Sequence, residues 1–112
     1  MDDCLFCKIG RGDIPARHVH DDELCFAFED IHPQAPTHVL VCPREHLASL
    51  AEARPGQEAL LGHLLAVAAG IARERRLDAH RAVVNTGAEA GQSVFHLHVH
   101  LLGGRPMGWP PG

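Results

Sequence analysis

Three histidines alternate with aliphatic residues near the end of the chain, in the segment 96–102 with the sequence His-Leu-His-Val-His-Leu-Leu. Successive side chains of an extended strand point to opposite faces of its sheet. A strand over 94–102 therefore places His96, His98 and His100 in one row, about 7 Å apart, and turns the aliphatic residues to the core. Because imidazole is either a neutral nucleophile or a cation near neutral pH, the row predicts a reactive site.

The remaining sequence predicts four more strands and two helices. Turn and proline signals delimit the strands, and the predicted ranges are 14–20, 24–28, 38–42 and 80–86. A short helix is predicted over 4–10 and a long one over 55–76, with Pro55 at its first position. Its apolar residues recur at helical spacing; they are Leu60, Leu64, Val67, Ala68 and Ile71. Together these elements predict an α+β domain, with a five-stranded antiparallel sheet packed against one long and one short helix.

Length and charge narrow the classes of protein to consider. A chain of 112 residues fits one domain over 1–112, with an irregular tail over 103–112 that carries Trp109. We expect this side chain to pack on its own domain, a partner subunit or a ligand. The formal net charge of −4 argues against nucleic-acid binding. The sequence contains neither a membrane span nor a secretory signal, so we expect a cytoplasmic protein.

Two kinds of chemistry are open to the histidine row when it is considered by itself. A catalytic metal site could use two of the imidazoles and a third ligand, but no carboxylate other than Glu89 lies close in sequence to orient it. A histidine nucleophile that attacks phosphorus needs an acceptor for its second ring nitrogen and donors for the phosphoryl oxygens. The glycine-rich segment 87–93 directly before the row lets the backbone approach a phosphate closely.

The segment 91–105, Gly-Gln-Ser-Val-Phe-His-Leu-His-Val-His-Leu-Leu-Gly-Gly-Arg, resembles the signature of the histidine triad (HIT) nucleotide-binding family. The tail 105–112 is similar to that of the Hint branch, the purine nucleoside phosphoramidases. Further matches lie at 14–16, 28–31, 33–38 and 83–85. The resemblance implies a homodimer with a continuous sheet. It also implies a hydrolase that cleaves purine nucleoside 5′-phosphoramidates through a nucleotidyl-histidine intermediate, with no catalytic cofactor.

The resemblance also implies site residues by position. His98 would be the nucleophile, His100 would contact the phosphate, and His38 would lie behind them. Ser93 would bond to the leaving group or phosphate. The remaining catalytic residue implied is His96, and the remaining nucleotide-binding residues implied are Phe28, Asp30, Ile31, Asn85, Gly91, Gln92 and Trp109.

Four cysteines allow a second kind of site. Cys4 and Cys7 have the spacing of a zinc-binding pair, although two free thiols on a short helix remain an alternative. The resemblance implies a closed, structural Zn²⁺ site completed by His46 and His96. Cys25 and Cys42 lie in apolar segments and are expected to be buried, reduced thiols.

The sequence departs from the family pattern near the expected leaving-group region. Gly108 stands where Hint relatives often have a polar or imidazole side chain, and Phe95 replaces a common tyrosine. Two alternatives to the phosphoramidase remain at this point: a nucleotide-binding regulatory protein with negligible turnover, and a dinucleoside polyphosphate hydrolase of the same family.

Overall fold

The computed structural model describes residues 3–112 and contains a five-stranded antiparallel sheet with a helix on each face. The strands are β1 (His18–Asp21), β2 (Cys25–Glu29), β3 (Thr37–Pro43), β4 (His80–Val83) and β5 (Val99–Gly103). Their order across the sheet is β1-β2-β3-β5-β4, and every neighbouring pair is antiparallel. The predicted α+β fold is confirmed, and β5 lies inside the sheet rather than at its edge.

The two helices are α1 (Leu5–Arg11) and α2 (Glu58–Glu74). The short helix ends where Gly12 adopts φ +84°, a left-handed conformation that glycine tolerates best. The long helix begins three residues later than predicted. Pro55 and Gly56 form a turn instead of a first helical turn, because Gly56 has φ +94° and right-handed helix cannot continue through such a residue.

Two apolar clusters lie on opposite faces of the sheet. The cluster under α2 contains the aliphatic residues that alternate with the histidines, together with Cys25 and the buried stripe of the helix. The cluster under α1 is smaller and more aromatic; its members are Phe6, Ile9, Phe26, Phe28, Leu40 and Cys42. Both cysteines predicted to be buried are fully buried. The sheet therefore separates a conventional core from the face that carries the functional side chains.

Three strands are shorter than the sequence predicts. β1 begins at His18 and not at Ile14, because Ile14 and Ala16 pack on the α1 cluster instead of joining the sheet. β4 ends at Val83. β5 begins at Val99 and not at residue 94, since the preceding residues bend away and the Leu97 amide donates to the Leu47 carbonyl at 2.7 Å.

The carboxyl-terminal tail and the end of α2 differ in how they contact the rest of the fold. The tail after Gly103 contains neither helix nor strand, and the Trp109 side chain is 85% exposed, so it does not pack on its own domain. At the end of α2, Arg75 forms an ion pair with Glu29 of β2, which ties the helix to the sheet. Within residues 3–112, no helix has the length and apolar character needed to cross a membrane.

Candidate functional site

The histidines of the row separate into a pair and a single residue. His98 and His100 lie on the α1 face of the sheet with their ring centroids 4.9 Å apart. His96 lies in the bend before β5, and its fully buried ring faces the two amino-terminal cysteines. The ring of His96 packs against Phe6 and Phe26 of the α1 cluster, so the three imidazoles share one face as the alternation predicts, but His96 meets the cysteines and does not line the cavity.

A cavity of about 340 Å³ opens beside this pair. Its apolar wall comes from α1, the segment before β1, and strands β2 and β3; the apolar lining includes Phe6, Ile9, Ile14, Ala16, Phe28 and Leu40. Its polar residues are Asp30, His32, Ser93, His98 and His100. A cavity with one apolar wall and a few converging polar groups is typical of a small-molecule site.

The tautomer of His98 follows from a single hydrogen bond. Its Nδ1 lies 2.7 Å from the backbone carbonyl oxygen of His96, and a carbonyl can only accept. Nδ1 of His98 therefore carries the proton, and Nε2 of the neutral ring keeps its lone pair. This arrangement provides the fixed acceptor that a histidine nucleophile requires.

A chain of hydrogen bonds fixes the proton positions of the other two imidazoles. The backbone amide of Gln34 donates to Nδ1 of His38 at 3.0 Å, so the proton of neutral His38 is on Nε2. That nitrogen lies 2.9 Å from Nδ1 of His100 and 3.4 Å from a carboxylate oxygen of Asp30. His38 therefore donates to His100, whose own proton lies on Nε2. His100 is left as a hydrogen-bond donor.

Burial keeps these imidazoles neutral. It is the main reason that the pKa of His98 lies below its ordinary value, against the opposing effect of the His96 carbonyl. Burial, with the neighbouring His98 and His38, lowers the pKa of His100 to about 4. The pKa of His38 is also lowered by burial, although the Asp30 carboxylate opposes the shift. At neutral pH the site therefore presents a nucleophile and a donor, not a set of cations.

The structure brings most of the implied nucleotide-binding residues to the cavity. Phe28, Asp30, Ser93 and Ile31 line it, with the Ile31 side chain 85% exposed. His38 is buried behind the cavity and does not line it. It contacts two residues that do, His100 and Asp30. Their roles toward a ligand stay predictions.

Four implied residues lie elsewhere. The amides of Gly91 and Gln92 donate to the carbonyls of Ala88 and Gly87, so both are occupied in the turn and would have to leave it to bind a phosphate. The buried amide side chain of Gln92 holds the same loop, through Gly87, Ala48 and Val94. Asn85 and Trp109 are not among the residues that line the cavity.

A second constellation lies at the start of α1, where four ligand atoms converge. Nδ1 of His96 lies 3.3 Å from Sγ of Cys4, 3.5 Å from Sγ of Cys7 and 3.2 Å from Nδ1 of His46. Sγ of Cys7 is 3.5 Å from Nδ1 of His46. All four ligand atoms lie within 4.8 Å of one another. The residues implied for a metal site are thus brought together.

These spacings fit a tetrahedral ion. Zinc bonds of about 2.3 Å to sulfur and 2.0 Å to nitrogen put two nitrogen ligands about 3.3 Å apart, and a sulfur and a nitrogen about 3.5 Å apart. The second ring nitrogen of His96 donates to the Pro43 carbonyl at 2.8 Å, which leaves Nδ1 free to be a ligand. Such an outer hydrogen bond is the usual partner of a metal-binding histidine.

Two other groups of metal-ligand residues within residues 3–112 do not have this spacing. Two imidazoles approach one carboxylate oxygen of Asp22, from His20 at 2.6 Å and from His63 at 2.7 Å. His38 and His100 approach to 2.9 Å. Because ligands of one tetrahedral ion lie about 3.3 Å apart, these shorter distances are hydrogen bonds between the side chains themselves.

Sequence reasoning missed the apolar wall of the cavity. Phe6 and Ile9 are buried on α1 and line the cavity, and their three-residue spacing on a helix was the available signal. Ile14 and Ala16 were identified only as part of a matching segment. Alternation along β3 places Leu40 on the face of His38, but nothing local marks Val94, since its place in the wall depends on how β3 and the loop before β5 meet.

Comparison with known proteins gives a consistent family assignment. A family model described as HIT domain matches residues 11–107. An uncharacterised HIT-like protein of Synechocystis sp. is 54% identical over 99% of this chain and 98% of its own length. A 14 kDa zinc-binding protein of Zea mays is 49% identical over 96% of this chain and 87% of its own. A HIT family hydrolase from Legionella pneumophila superimposes with a TM-score of 0.96, at 46% identity, over 98% of this chain and 100% of that one.

Proposed function

The chain belongs to the HIT domain family, and on that premise we propose that it is a hydrolase of purine nucleoside 5′-phosphoramidates, like the Hint branch of the family. The observation that carries this proposal is the hydrogen bond from Nδ1 of His98 to the His96 carbonyl. Because Nδ1 carries the proton, Nε2 keeps its lone pair, and the ring lies beside an open cavity. The preference for a purine and for a phosphorus–nitrogen bond is supported by the resemblance of the segment 91–105 and the tail.

The first step is attack of His98 on phosphorus. Nε2 forms a bond to the phosphorus atom as the bond to the leaving nitrogen breaks, and the leaving amine takes up a proton from the solvent, which regains one from the attacking water in the second step. The imidazole becomes positively charged while its Nδ1–H continues to donate to the His96 carbonyl, so that carbonyl stabilises the charge as it forms. Water then attacks phosphorus, the bond to Nε2 breaks, and the nucleoside monophosphate leaves.

His100 acts on the phosphoryl oxygens. Its proton is held on Nε2 by the bond from His38, so it donates to an oxygen whose negative charge grows in the transition state. The hydroxyl of Ser93, which also lines the cavity, donates to the leaving group or the phosphate. A preorganised donor of this kind costs no reorientation when charge develops.

The nucleoside occupies the apolar part of the cavity. Phe28 offers a buried aromatic face and Ile31 an exposed aliphatic one, which suit a purine ring. The Asp30 carboxylate accepts hydrogen bonds from the ribose hydroxyls. One of its oxygens already accepts from the His32 amide at 2.8 Å, so the carboxylate is held in place before a nucleotide binds.

The metal cluster is proposed to hold a structural zinc ion. Support comes from the tetrahedral spacing of its four ligand atoms and from the zinc-binding relative in Zea mays. When bound, the ion supplies a crosslink between α1, the segment after β3 and the bend before β5. Thiolate ligands must be reduced, which agrees with the expectation of a cytoplasmic protein.

A homodimer is proposed from the resemblance and from two exposed features. The sheet has two unpaired edge strands, β1 and β4, and a continuous sheet across a dimer needs one of them to pair with its copy. The Trp109 side chain is 85% exposed, more than an indole usually is in a finished assembly. Analytical ultracentrifugation should give twice the mass of 12.1 kDa, whereas a monomer at all concentrations would contradict this prediction.

Mass spectrometry of the protein quenched during turnover tests the reaction directly. With adenosine 5′-phosphoramidate, we expect one nucleoside monophosphate attached to the peptide that carries His98. His98→Ala should abolish turnover and leave nucleotide binding intact, because the cavity walls remain.

The alternatives give different results in the same assay. Binding with no measurable turnover indicates a regulatory protein. Faster cleavage of dinucleoside polyphosphates indicates the other hydrolase of the family. Turnover by His98→Ala at the wild-type rate would refute the histidine nucleophile.

A further inference from the structure

We propose that His96 is a positioning residue for the nucleophile, and that the metal cluster controls the state of His98 through it. The proposal rests on the function proposed above for its effect on rate, but its effect on the tautomer of His98 is independent of that function. The starting observation is that His96 belongs to both constellations. Its ring faces the cysteines, while its carbonyl accepts the Nδ1 proton of His98.

The peptide group between residues 96 and 97 is the connecting element. Its carbonyl end accepts from His98 at 2.7 Å, and its N–H end donates to the Leu47 carbonyl at 2.7 Å. Because a peptide group is planar, these two bonds set one common orientation. The group lies outside the β5 ladder, so the hydrogen bonds of the sheet do not hold it.

Both ends of this peptide group lie next to metal ligands. Leu47 directly follows His46, and Leu97 directly follows His96. The two imidazoles approach each other to 3.2 Å between their Nδ1 atoms, at the spacing of two ligands on one ion. An ion that joins them therefore fixes the two backbone segments that share the bond between Leu97 and Leu47.

A packing contact from α1 also holds the ring of His98 in place. Phe6 lies between the two cysteines in sequence and packs edge-on against the His98 ring, with centroids 5.1 Å apart and planes at 79°. It also packs edge-on against Phe28 at 5.3 Å. The cluster thus holds the carbonyl on one side of His98 and an aromatic ring on another.

Loss of the metal is expected to change which ring nitrogen of His98 carries the proton. If the peptide group turns away, Nδ1 of His98 loses its acceptor, and the neutral ring populates both tautomers. The form with the proton on Nε2 has no lone pair toward the cavity and cannot attack phosphorus. The rate of hydrolysis should therefore fall in proportion to the population of the Nδ1-protonated tautomer that is lost. The apolar contacts of Phe28 with the nucleoside remain.

Two variants at His46 separate metal binding from the loss of a side chain. His46→Ala and His46→Cys remove the same imidazole, but only cysteine supplies a new zinc ligand. His46 does not line the nucleotide cavity. For each protein we would measure zinc content by elemental analysis, the nitrogen chemical shifts of the His98 ring at about pH 8, where imidazole is neutral, and the single-turnover rate.

The wild-type protein and His46→Cys should hold one zinc ion and show His98 protonated only at Nδ1. His46→Ala should lose zinc and show exchange between both tautomers, with a single-turnover rate lower by the same factor as the measured fall in the Nδ1-protonated fraction. An unchanged His98 tautomer in zinc-free His46→Ala would overturn the proposal. If wild type hydrolyses nothing, the proposed function fails, and the tautomer measurement still decides the positioning role.

A zinc titration of wild-type protein covers the case in which His46→Ala does not fold. Zinc is removed with a chelator and returned in steps, and the His98 ring is followed together with backbone amides of α2 and β4. Return of the single tautomer at one equivalent, with the distant amides unchanged throughout, supports the proposal. Loss of all native amides on zinc removal would overturn it, because the metal would then act on global stability alone.

Discussion

At the scale of single residues, the site shows how identical side chains acquire different tasks. His98 has a carbonyl acceptor on Nδ1 and keeps the lone pair of Nε2. His38 accepts from a backbone amide at Nδ1 and donates a hydrogen bond from Nε2 to Nδ1 of His100. His96 donates a hydrogen bond from Nε2 to the Pro43 carbonyl, which leaves Nδ1 without a proton and available as a metal ligand. The partner of each ring nitrogen decides where the proton lies, and most of these partners are backbone groups.

The donor role of His100 depends on His38. His38→Phe removes the proton that fixes the His100 tautomer, and we expect kcat to fall by about 10-fold to 100-fold, less than the loss on removing a donor outright. His38→Gln keeps an N–H in a similar position and should recover part of the rate. Steady-state kinetics with adenosine 5′-phosphoramidate measure both variants. Equal rates for the two would show that the proton on His38 is irrelevant.

At the scale of elements, α1 and α2 differ in what holds them to the sheet. The seven-residue α1 is too short to be stable by itself and depends on Phe6, Ile9 and the cysteine cluster. The longer α2 packs its apolar stripe on the core and adds a polar anchor on the hairpin between β1 and β2. That anchor is Asp22, which accepts from His63 of α2, from His20, and from the amides of Leu24 and Cys25.

The Asp22 anchor yields a stability prediction. Burial opposes ionisation of Asp22, but the bonds from His20, His63 and two amides outweigh it and hold the pKa of this carboxyl well below its usual range. Asp22→Asn should lower the free energy of unfolding by about 1–3 kcal/mol at pH 7, measured by urea denaturation. Asp78→Asn, at an exposed position, is the control and should change it by less than about 0.5 kcal/mol.

The sign of the pH dependence follows from the lowered pKa. The contribution of Asp22 is complete above its unfolded pKa of about 3.9 and disappears as the pH falls toward the folded value. Asp22→Asn should therefore lose less stability than wild type between about pH 4 and pH 2. A parallel loss in both proteins would contradict the anchor.

At the scale of the whole molecule, the buried neutral imidazoles make folding sensitive to mild acid. The unfolded chain binds protons at an ordinary pKa of about 6.5, whereas the pKa of His100 is about 4 in the folded protein and that of His38 is also lowered. The unfolded state thus binds more protons between about pH 6.5 and 4, and stability should fall as the pH falls through this range.

Urea unfolding at several pH values tests this expectation. Stability should be nearly level above about pH 7.5, a unit above the unfolded pKa, where these imidazoles are neutral in both states. His100→Gln removes one of the titrating groups and should show a shallower decline toward pH 4. An identical decline in wild type and His100→Gln would show that His100 does not contribute.

The sequence alone determined the number and type of elements and the position of the alternating histidines. Alternation with a period of two identifies a strand that buries Leu97, Val99 and Leu101 on one face, and helical spacing identifies the stripe of α2. Both patterns arise from local backbone geometry, so they can be read without knowing the fold. In the cysteine and histidine cluster, Cys4 and Cys7 were identified by their spacing, and His46 and His96 by their matching positions in a known family.

Only the tertiary structure decided where the strand begins and what each histidine contacts. The ring of His96 meets Cys4, 92 positions away in sequence, and its neighbour Leu97 bonds to Leu47 instead of the ladder. The tautomer of His100, the apolar wall from α1, and the contact of His96 with the two cysteines depend on contacts of the same long range. Such contacts leave no periodic trace along the chain, since each is made by one pair of residues that folding brings together.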